Sequence, residues 1–339
     1  MNISAVIPTR NRVEQVRSTL HSLLRQTRQV DEILLIDSSD DRRQTALLRQ
    51  EFAGHPIQWS ESVPSVCIQR NIGIARASGD WILLLDDDVD LESDYMLKLE
   101  TYILANDGCG AVAGRLMQLE SGTWTDQYPV KRFGELCWRF IFQLSIWGRI
   151  DEIKVPGVMK WCVEIINDFY RRKGNTLSLA GWPLITQWNE PIVRTTIYSL
   201  GASLIRKEWL ANGYDEVLDP YGIGDNYGAA LNFPARQQIH VLRDARAYHH
   251  RASENRLDRT LASYRRSLAL HYFLVRNKKG FVTKSFFVWS LFGNSLASIL
   301  RGDSRTFRMT MRALALILCG RNPYWIGHLK NKKIVQPFP

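Results

Sequence analysis

Five apolar residues in a row, Trp81-Ile82-Leu83-Leu84-Leu85, run directly into three consecutive carboxylates, Asp86, Asp87 and Asp88. No polar residue interrupts the run, so both of its faces must be covered, as in a central strand of a parallel sheet. A buried strand that ends in an acid cluster aims charge at a cleft, because the ligand crevice of an open α/β sheet lies outside the carboxyl ends of its strands. Three adjacent like charges repel one another and are tolerated only if solvated, paired or neutralised by a cation. Oxygen ligands of this kind suit Mg²⁺ or Mn²⁺, which commonly bridge one or two carboxylates to substrate phosphates. The stretch therefore predicts a metal and phosphate site at the end of a central strand.

The flanking sequence supplies the rest of such a sheet. Ile3 to Ile7 is a short apolar strand stopped by Pro8 and followed by the donor-rich Thr9-Arg10-Asn11-Arg12. Val16, Leu20, Leu23 and Leu24 fall at helical spacing, Ile33 to Ile36 forms a second strand ending at Asp37, Thr45 to Phe52 reads as a helix, and Ile57 to Trp59 as a third strand. Ser65 to Ala77 is helical, Ser93 to Leu104 is amphipathic, and Ala111 to Leu119 is a further strand. Strands alternating with helices predict a doubly wound, mostly parallel sheet. From Tyr128 to Tyr198 the pattern changes to aromatic-rich segments, Leu136 to Trp147 and Val158 to Phe169, the second with Trp161, Ile165 and Ile166 at helical spacing; both suit either helices or a lid over the cleft. The aromatics of the Asn175 to Pro191 loop suit either stacking on sugar rings or a satellite core. Leu200 to Ile205 and Ile239 to Leu242 read as strands, Lys207 to Ala211 as a short helix, and glycines 222, 224 and 228 surround Asp225 in a turn.

Five cysteines, scattered and never in a Cys-x-x-Cys pair, argue against a disulfide framework or a zinc site. The first residues lack the pattern of a secretory signal, which gives the expectation of a cytoplasmic protein. The net charge of +10 is uneven: residues 251–339 hold 17 Lys and Arg against 3 acids, or +14, leaving −4 for residues 1–250. A basic tail calls for an acidic partner. Arg305, Arg308 and Arg312 share one helical face and Phe307, Met311, Leu314 and Leu318 the other, the pattern of an interfacial helix. Phe281 to Leu300 is more apolar but broken by Lys284, Asn294 and serines. These features predict contact with an anionic membrane surface through the C-terminal region, the rival being a basic-surfaced bundle packed on the catalytic domain. Nucleic acid is disfavoured because the basic residues alternate with aliphatic stretches.

Taken together, Val6-Ile7-Pro8-Thr9-Arg10-Asn11-Arg12, Ile36-Asp37-Ser38-Ser39-Asp40, Arg70-Asn71-Ile72-Gly73 and Leu85-Asp86-Asp87-Asp88 resemble, in order and spacing, the family 2 glycosyltransferases, inverting sugar transferases of the GT-A fold. The resemblance implies that Pro8, Thr9 and Arg10 line a nucleotide pocket, that Asp37 accepts hydrogen bonds from the base, and that Arg70 contacts phosphate or sugar. It implies that Asp86 and Asp88 bracket an Asp-x-Asp motif, with Asp87 nearest the ribose or donor sugar and Asp88 the direct ligand of the divalent cation. The family's general base lies in a Glu-Asp pair after a Phe-Asp-Glu-like stretch; Tyr214-Asp215-Glu216 matches the stretch, and Asp225 falls at the pair's aspartate, with Gly224 in place of the glutamate. Either His249 or His250 would complete the metal site.

The expectation is a GT-A catalytic domain over residues 1–255, made of a nucleotide-sugar-binding half (1–120), a variable insertion (121–200) and an acceptor half (201–255), followed by a basic helical region over 256–339. Its implied activity is Mg²⁺- or Mn²⁺-dependent transfer from a nucleotide-diphosphate sugar, a UDP-sugar favoured, to a hydroxyl of a glycan or polyprenyl-linked acceptor in cell-surface polysaccharide synthesis, at the cytoplasmic face of a membrane. Gly224 raises the alternative of a non-catalytic nucleotide-sugar-binding or scaffolding subunit. Nucleotidyl transfer is disfavoured because the N-terminal loop has no Gly-rich, Lys-bearing phosphate cradle.

Overall fold

A computed structural model describes residues 1–218, 221–235, 237–251 and 257–330. The first half alternates as expected: β1 (Ile3–Thr9), α1 (Val13–Leu24), β2 (Glu32–Asp37), α2 (Arg42–Glu51), β3 (Ile57–Glu61), α3 (Val66–Arg76), β4 (Trp81–Leu85), β5 (Val89–Leu91), α4 (Tyr95–Leu104), β6 (Ala111–Glu120) and β7 (Thr123–Thr125). The second half adds α5 (Phe133–Ile141), β8 (Ile146–Trp147), α6 (Gly157–Lys173), β9 (Leu184–Ile185), β10 (Ile192–Thr195), β11 (Ala202–Arg206), α7 (Asp225–Leu231) and β12 (Ile239–His249). Four helices close the described chain: α8 (Arg259–Arg276), α9 (Phe281–Leu300), α10 (Ser304–Leu318) and α11 (Pro323–Leu329).

The main sheet runs β10-β12-β6-β11-β4-β1-β2-β3, with β5 paired to β12 and β7 to β6. β4, β1, β2 and β3 are mutually parallel, β12 is parallel to β6, and β11 enters antiparallel between β4 and β6. Every residue of β1, β2 and β4 is buried; β4 is apolar throughout, and the polar Ser4 of β1 and Glu32 of β2 satisfy each other by a hydrogen bond. One face of the sheet packs on α1, α2 and α4 through residues such as Leu20, Leu48 and Leu99. The other face shares a core with α3 and with the C-terminal helices, so Val6, Ile82, Leu268, Phe287, Leu314 and Tyr324 belong to one apolar cluster.

Local chemistry explains several element boundaries. Ser65 caps α3 by accepting from the Ile68 N–H, and Asp41 caps α2 by accepting from the Arg43 N–H. α3 lies hard against β1 because residue 73 is glycine; a Cβ there would sit 2.3 Å from Val6 Cγ1. Of the Leu136 to Trp147 segment only the part up to Ile141 is helical, because Gln143 turns into positive φ (+51°). Ile146–Trp147 instead pairs with Leu184–Ile185 beside a small separate core built around Leu136, Ile146, Ile166 and Tyr170.

The expected strand at Ile239 to Leu242 extends to His249, with a register shift between Leu242 and Arg246. The apolar face expected on α10 is split: Leu314 packs inward with Thr310, Ala313 and Ile317, while Met311 and Leu318 face solvent. No helix among the described residues is long and apolar enough to cross a membrane. Residues 219, 220, 236, 252–256 and 331–339 lie outside the described residues, and with them the start of the Asp219 to Tyr227 loop, the proposed boundary at 255 and part of the basic tail.

Candidate functional site

β4 delivers Asp86 to the C-terminal edge of the sheet, where the chain turns through Asp87 and Asp88 into β5. Above them opens a cavity of about 720 Å³ lined by residues from three regions: the β1–α1 loop with the start of α3, the 121–200 insertion, and the segment around α7 and α8. Two arginines serve the three carboxylates of the triplet. Asp86 accepts from Arg70 at 2.6 Å, Asp87 from Arg12 at 2.8 Å and from the Thr9 hydroxyl at 2.7 Å, and Asp88 lies 3.6 Å from Arg12 and 3.1 Å from His249 Nε2. The repulsion anticipated in a run of three acids is thus relieved by arginines. Asp87 is buried, and desolvation outweighs Arg12 to push its pKa up from 3.8 to about 6.

Arg70 is the link across the site. It projects from α3, is itself buried, and donates one amino group to Asp86 and the other to Asp225, with its guanidinium 5.0 Å above the Tyr214 ring. Asp225 opens α7 and also accepts the Asn226 N–H; burial raises its pKa, although Arg70 opposes the rise. A carboxylate with a raised pKa in a cleft is a better proton acceptor than a surface aspartate. Gly224 caps α7 at φ +98°, and a Cβ there would lie 2.9 Å from Ala269 Cβ on α8. Backbone conformation and helix packing together demand glycine at this position.

Asp86, Asp88 and His249 offer ligand atoms that all lie within 4.8 Å of one another, an O, O, N donor set suited to a hard or borderline divalent cation. His249 Nδ1 is buried with no hydrogen-bond partner, leaving this ring able to adjust its orientation toward a cation. Gly201 makes room for Asp86, since a Cβ there would fall 2.1 Å from Asp86 Oδ2. These residues fit a divalent cation.

Most of the sequence-predicted residues converge on this cavity. Pro8, Thr9, Arg10, Arg70, Asp86, Asp87, Asp88, Asp225 and His249 all line it. His250 does not; its Nε2 contacts Asp90 at 2.9 Å and its ring meets Trp124 edge to face. Asp37 also stands outside the lining, its oxygens accepting from the Ser39 N–H and the Thr45 hydroxyl, each at 2.8 Å. Sequence reasoning gave Arg12 no role, although it lies in the quoted N-terminal motif and pairs with two of the three aspartates. Part of the insertion lines the cavity, where Trp147 stacks on Tyr198 at 5.4 Å and Asp126 pairs with Arg115. Trp182 serves in two places: its indole N–H donates to Ser290 at 2.8 Å in the core and its body lines the cavity. Trp188 is buried core.

A mixed, mostly parallel sheet with an acid cluster at the end of a central strand and an aspartate facing it from a later helix defines a GT-A type domain. Residues 4–153 match the profile of "Glycosyl transferase family 2". Among solved structures it resembles GalNAc-T7 with UDP, GalNAc and Mn²⁺ (14% identity, 96% of this chain and 58% of that chain, TM-score 0.54). It also resembles S. aureus TarS 1-349 in complex with UDP-GlcNAc (12% identity, 98% of this chain and 93% of that one, TM-score 0.53). At these identities the likeness is one of fold. A Haemophilus influenzae protein described as an uncharacterized glycosyltransferase is 31% identical over 86 residues, covering 25% of this chain and 29% of that relative.

Proposed function

We propose that the protein is a metal-dependent inverting glycosyltransferase that moves a sugar from a nucleotide-diphosphate donor, a UDP-sugar first among candidates, to a hydroxyl of a lipid-linked or growing glycan. The observation that carries this reading is the Arg70 bridge, which joins Asp225 of α7 to Asp86 of the acid cluster in the lining of one cavity. The UDP-bound structures of fold relatives favour the donor class.

In this reading the Pro8 to Arg12 loop holds the nucleotide, and the pairing of Thr9 and Arg12 with Asp87 fixes that loop against the end of β4. Each Asp37 oxygen accepts one hydrogen bond and keeps a further acceptor position for the base. Asp86, Asp88 and His249 would hold a divalent cation, which when bound neutralises charge on the departing nucleotide diphosphate. Asp225 takes the proton from the acceptor hydroxyl as that oxygen attacks the anomeric carbon from the face opposite the leaving group. Arg70 orients Asp225 and offsets its repulsion from Asp86 by pairing with both. Because the local backbone accounts for Gly224, its presence does not argue for a non-catalytic subunit.

Membrane association belongs to the same proposal, as does a place in cell-surface polysaccharide assembly. It is supported by exposed apolar side chains on helices that also carry cations: Val158 and Trp161 beside Lys160 on α6, Leu300 at the end of α9 before Arg301, and Met311 and Leu318 on α10 with Arg305, Arg308 and Arg312. Because α9 to α11 share the core, substitutions of exposed residues test this better than truncation. Val158→Ser with Trp161→Ser should reduce co-sedimentation with anionic vesicles, and unchanged sedimentation would reject a role for α6.

The donor is tested by screening nucleotide sugars for thermal stabilisation with Mn²⁺. A ligand at a hundred times its Kd adds about 2.7 kcal/mol of stability. A UDP-sugar should give a metal-dependent rise; no rise with any nucleotide sugar would overturn the reading.

A further inference from the structure

Five arginines line the cavity: Arg10, Arg12, Arg70, Arg251 and Arg266. Four are tied to carboxylates, Arg10 to Asp40, Arg12 to Asp87 and Asp88, Arg70 to Asp86 and Asp225, and Arg251 to Glu120. Arg266 has neither a carboxylate nor a hydrogen-bond partner among the described residues. It is open to solvent inside the cavity, yet protein surrounds it closely enough that burial lowers its pKa from the ordinary arginine value. A guanidinium held in a cleft without a counter-charge is unfavourable on its own, and a ligand anion removes that penalty.

Its place in the fold says which part of a substrate brings the anion. Arg266 projects from α8; Leu270, one turn further on, lines the same cavity, and the intervening Ala269 packs against Gly224, next to Asp225. Arg266 therefore lies on the α7–α8 side of the cavity with Asp225, whereas the Pro8 to Arg12 loop lies across the sheet edge at the carboxyl end of β1. Leu270 and Trp182 give this side an apolar wall. A planar guanidinium beside an apolar wall suits an oxyanion attached to a carbon skeleton, which it can grip through two parallel N–H donors.

We propose that Arg266 binds a phosphate or carboxylate carried by the acceptor, close to the hydroxyl that receives the sugar. This rests on the reading of Asp225 as the acceptor end. The acceptor class is thereby narrowed to anionic molecules, a phosphorylated lipid carrier or an acidic glycan.

The test uses the full chain with the donor site filled by UDP and Mn²⁺, whose binding is measured first. Octyl phosphate, octanoate and inorganic phosphate are then titrated calorimetrically into the wild type and Arg266→Gln. One of the octyl probes should bind the wild type saturably and Arg266→Gln about tenfold or more weakly, while UDP affinity stays within about twofold. A tighter octyl phosphate selects the phosphorylated carrier, a tighter octanoate the acidic glycan. No octyl binding by the wild type, or equal binding by both proteins, would overturn the proposal. So would inorganic phosphate binding as tightly as the octyl ester, which makes a free-anion site, or a parallel loss of UDP affinity, which moves Arg266 to the donor. Failure of the wild type to bind UDP is failure of the glycosyltransferase reading itself, and the probe comparison is then made without UDP. Equal melting temperatures of the two proteins exclude misfolding as the cause of lost binding.

Discussion

Replacing Asp87 by Asn should change how stability depends on pH. In the folded protein burial raises the Asp87 pKa from 3.8 to about 6. A carboxyl whose folded pKa is raised favours the native state fully below its unfolded pKa, and that advantage is lost as pH climbs through the folded value. The wild type is therefore penalised above pH 6 by the ionised Asp87, a penalty that Asn does not suffer. Each pH unit between the two pKa values is worth about 1.36 kcal/mol, so the penalty is about 1 kcal/mol at pH 4.5 and about 3 kcal/mol at pH 8. Removing the partner of Arg12 has a cost of its own, but the Arg12 charge is constant across this range, so that cost drops out of the difference. The stability of Asp87→Asn relative to wild type should therefore improve by about 2 kcal/mol between pH 4.5 and pH 8, measured by denaturant unfolding in metal-free buffer. A difference between the two proteins that does not move with pH, or that moves the other way, would refute the argument that burial governs Asp87.

Other substitutions test other parts of the site. Gly224→Glu, which restores the family's usual residue, should lower stability by about 1–2 kcal/mol or more because of positive φ and the Ala269 contact, read as a fall in melting temperature. His249→Ala should abolish stabilisation by Mn²⁺ while His250→Ala preserves it; equal loss in both would remove His249 from the metal site. Arg70→Ala leaves Asp86 and Asp225 without their shared cation and should destabilise the fold by about 3–5 kcal/mol, with a melting temperature near the wild-type value counting against the bridge.

Much of this architecture was legible in the sequence because buried parallel strands announce themselves: β1, β2 and β4 are mostly apolar, and the runs of β2 and β4 lead straight into carboxylates. The acid cluster was placed correctly at the sheet's edge for the same reason. Side-chain direction was less legible. His249 and His250 are adjacent and chemically alike, and only the register of β12 against β5, which pairs His249 with Val89, decides which ring turns toward Asp88. Arg12 went unassigned because its partners lie about 75 positions away, and spacing carries no signal at that range. Gly224 read as a departure from a motif, whereas positive φ and the approach of α8 make it a requirement of the backbone. The insertion was least readable because its aromatics satisfy both a core and a cavity wall, as Trp182 does.

The central claim is that Asp225 serves as proton acceptor opposite an acid cluster that holds the donor. It is tested most directly by following release of nucleoside diphosphate from the stabilising donor, with acceptor and Mn²⁺ present, in the wild type, Asp88→Asn and Asp225→Asn. Asp225→Asn should retain donor binding and its fold while losing about 10²–10⁴-fold in transfer rate, and Asp88→Asn should lose the metal dependence of donor binding. Transfer at the wild-type rate by Asp225→Asn would contradict the account.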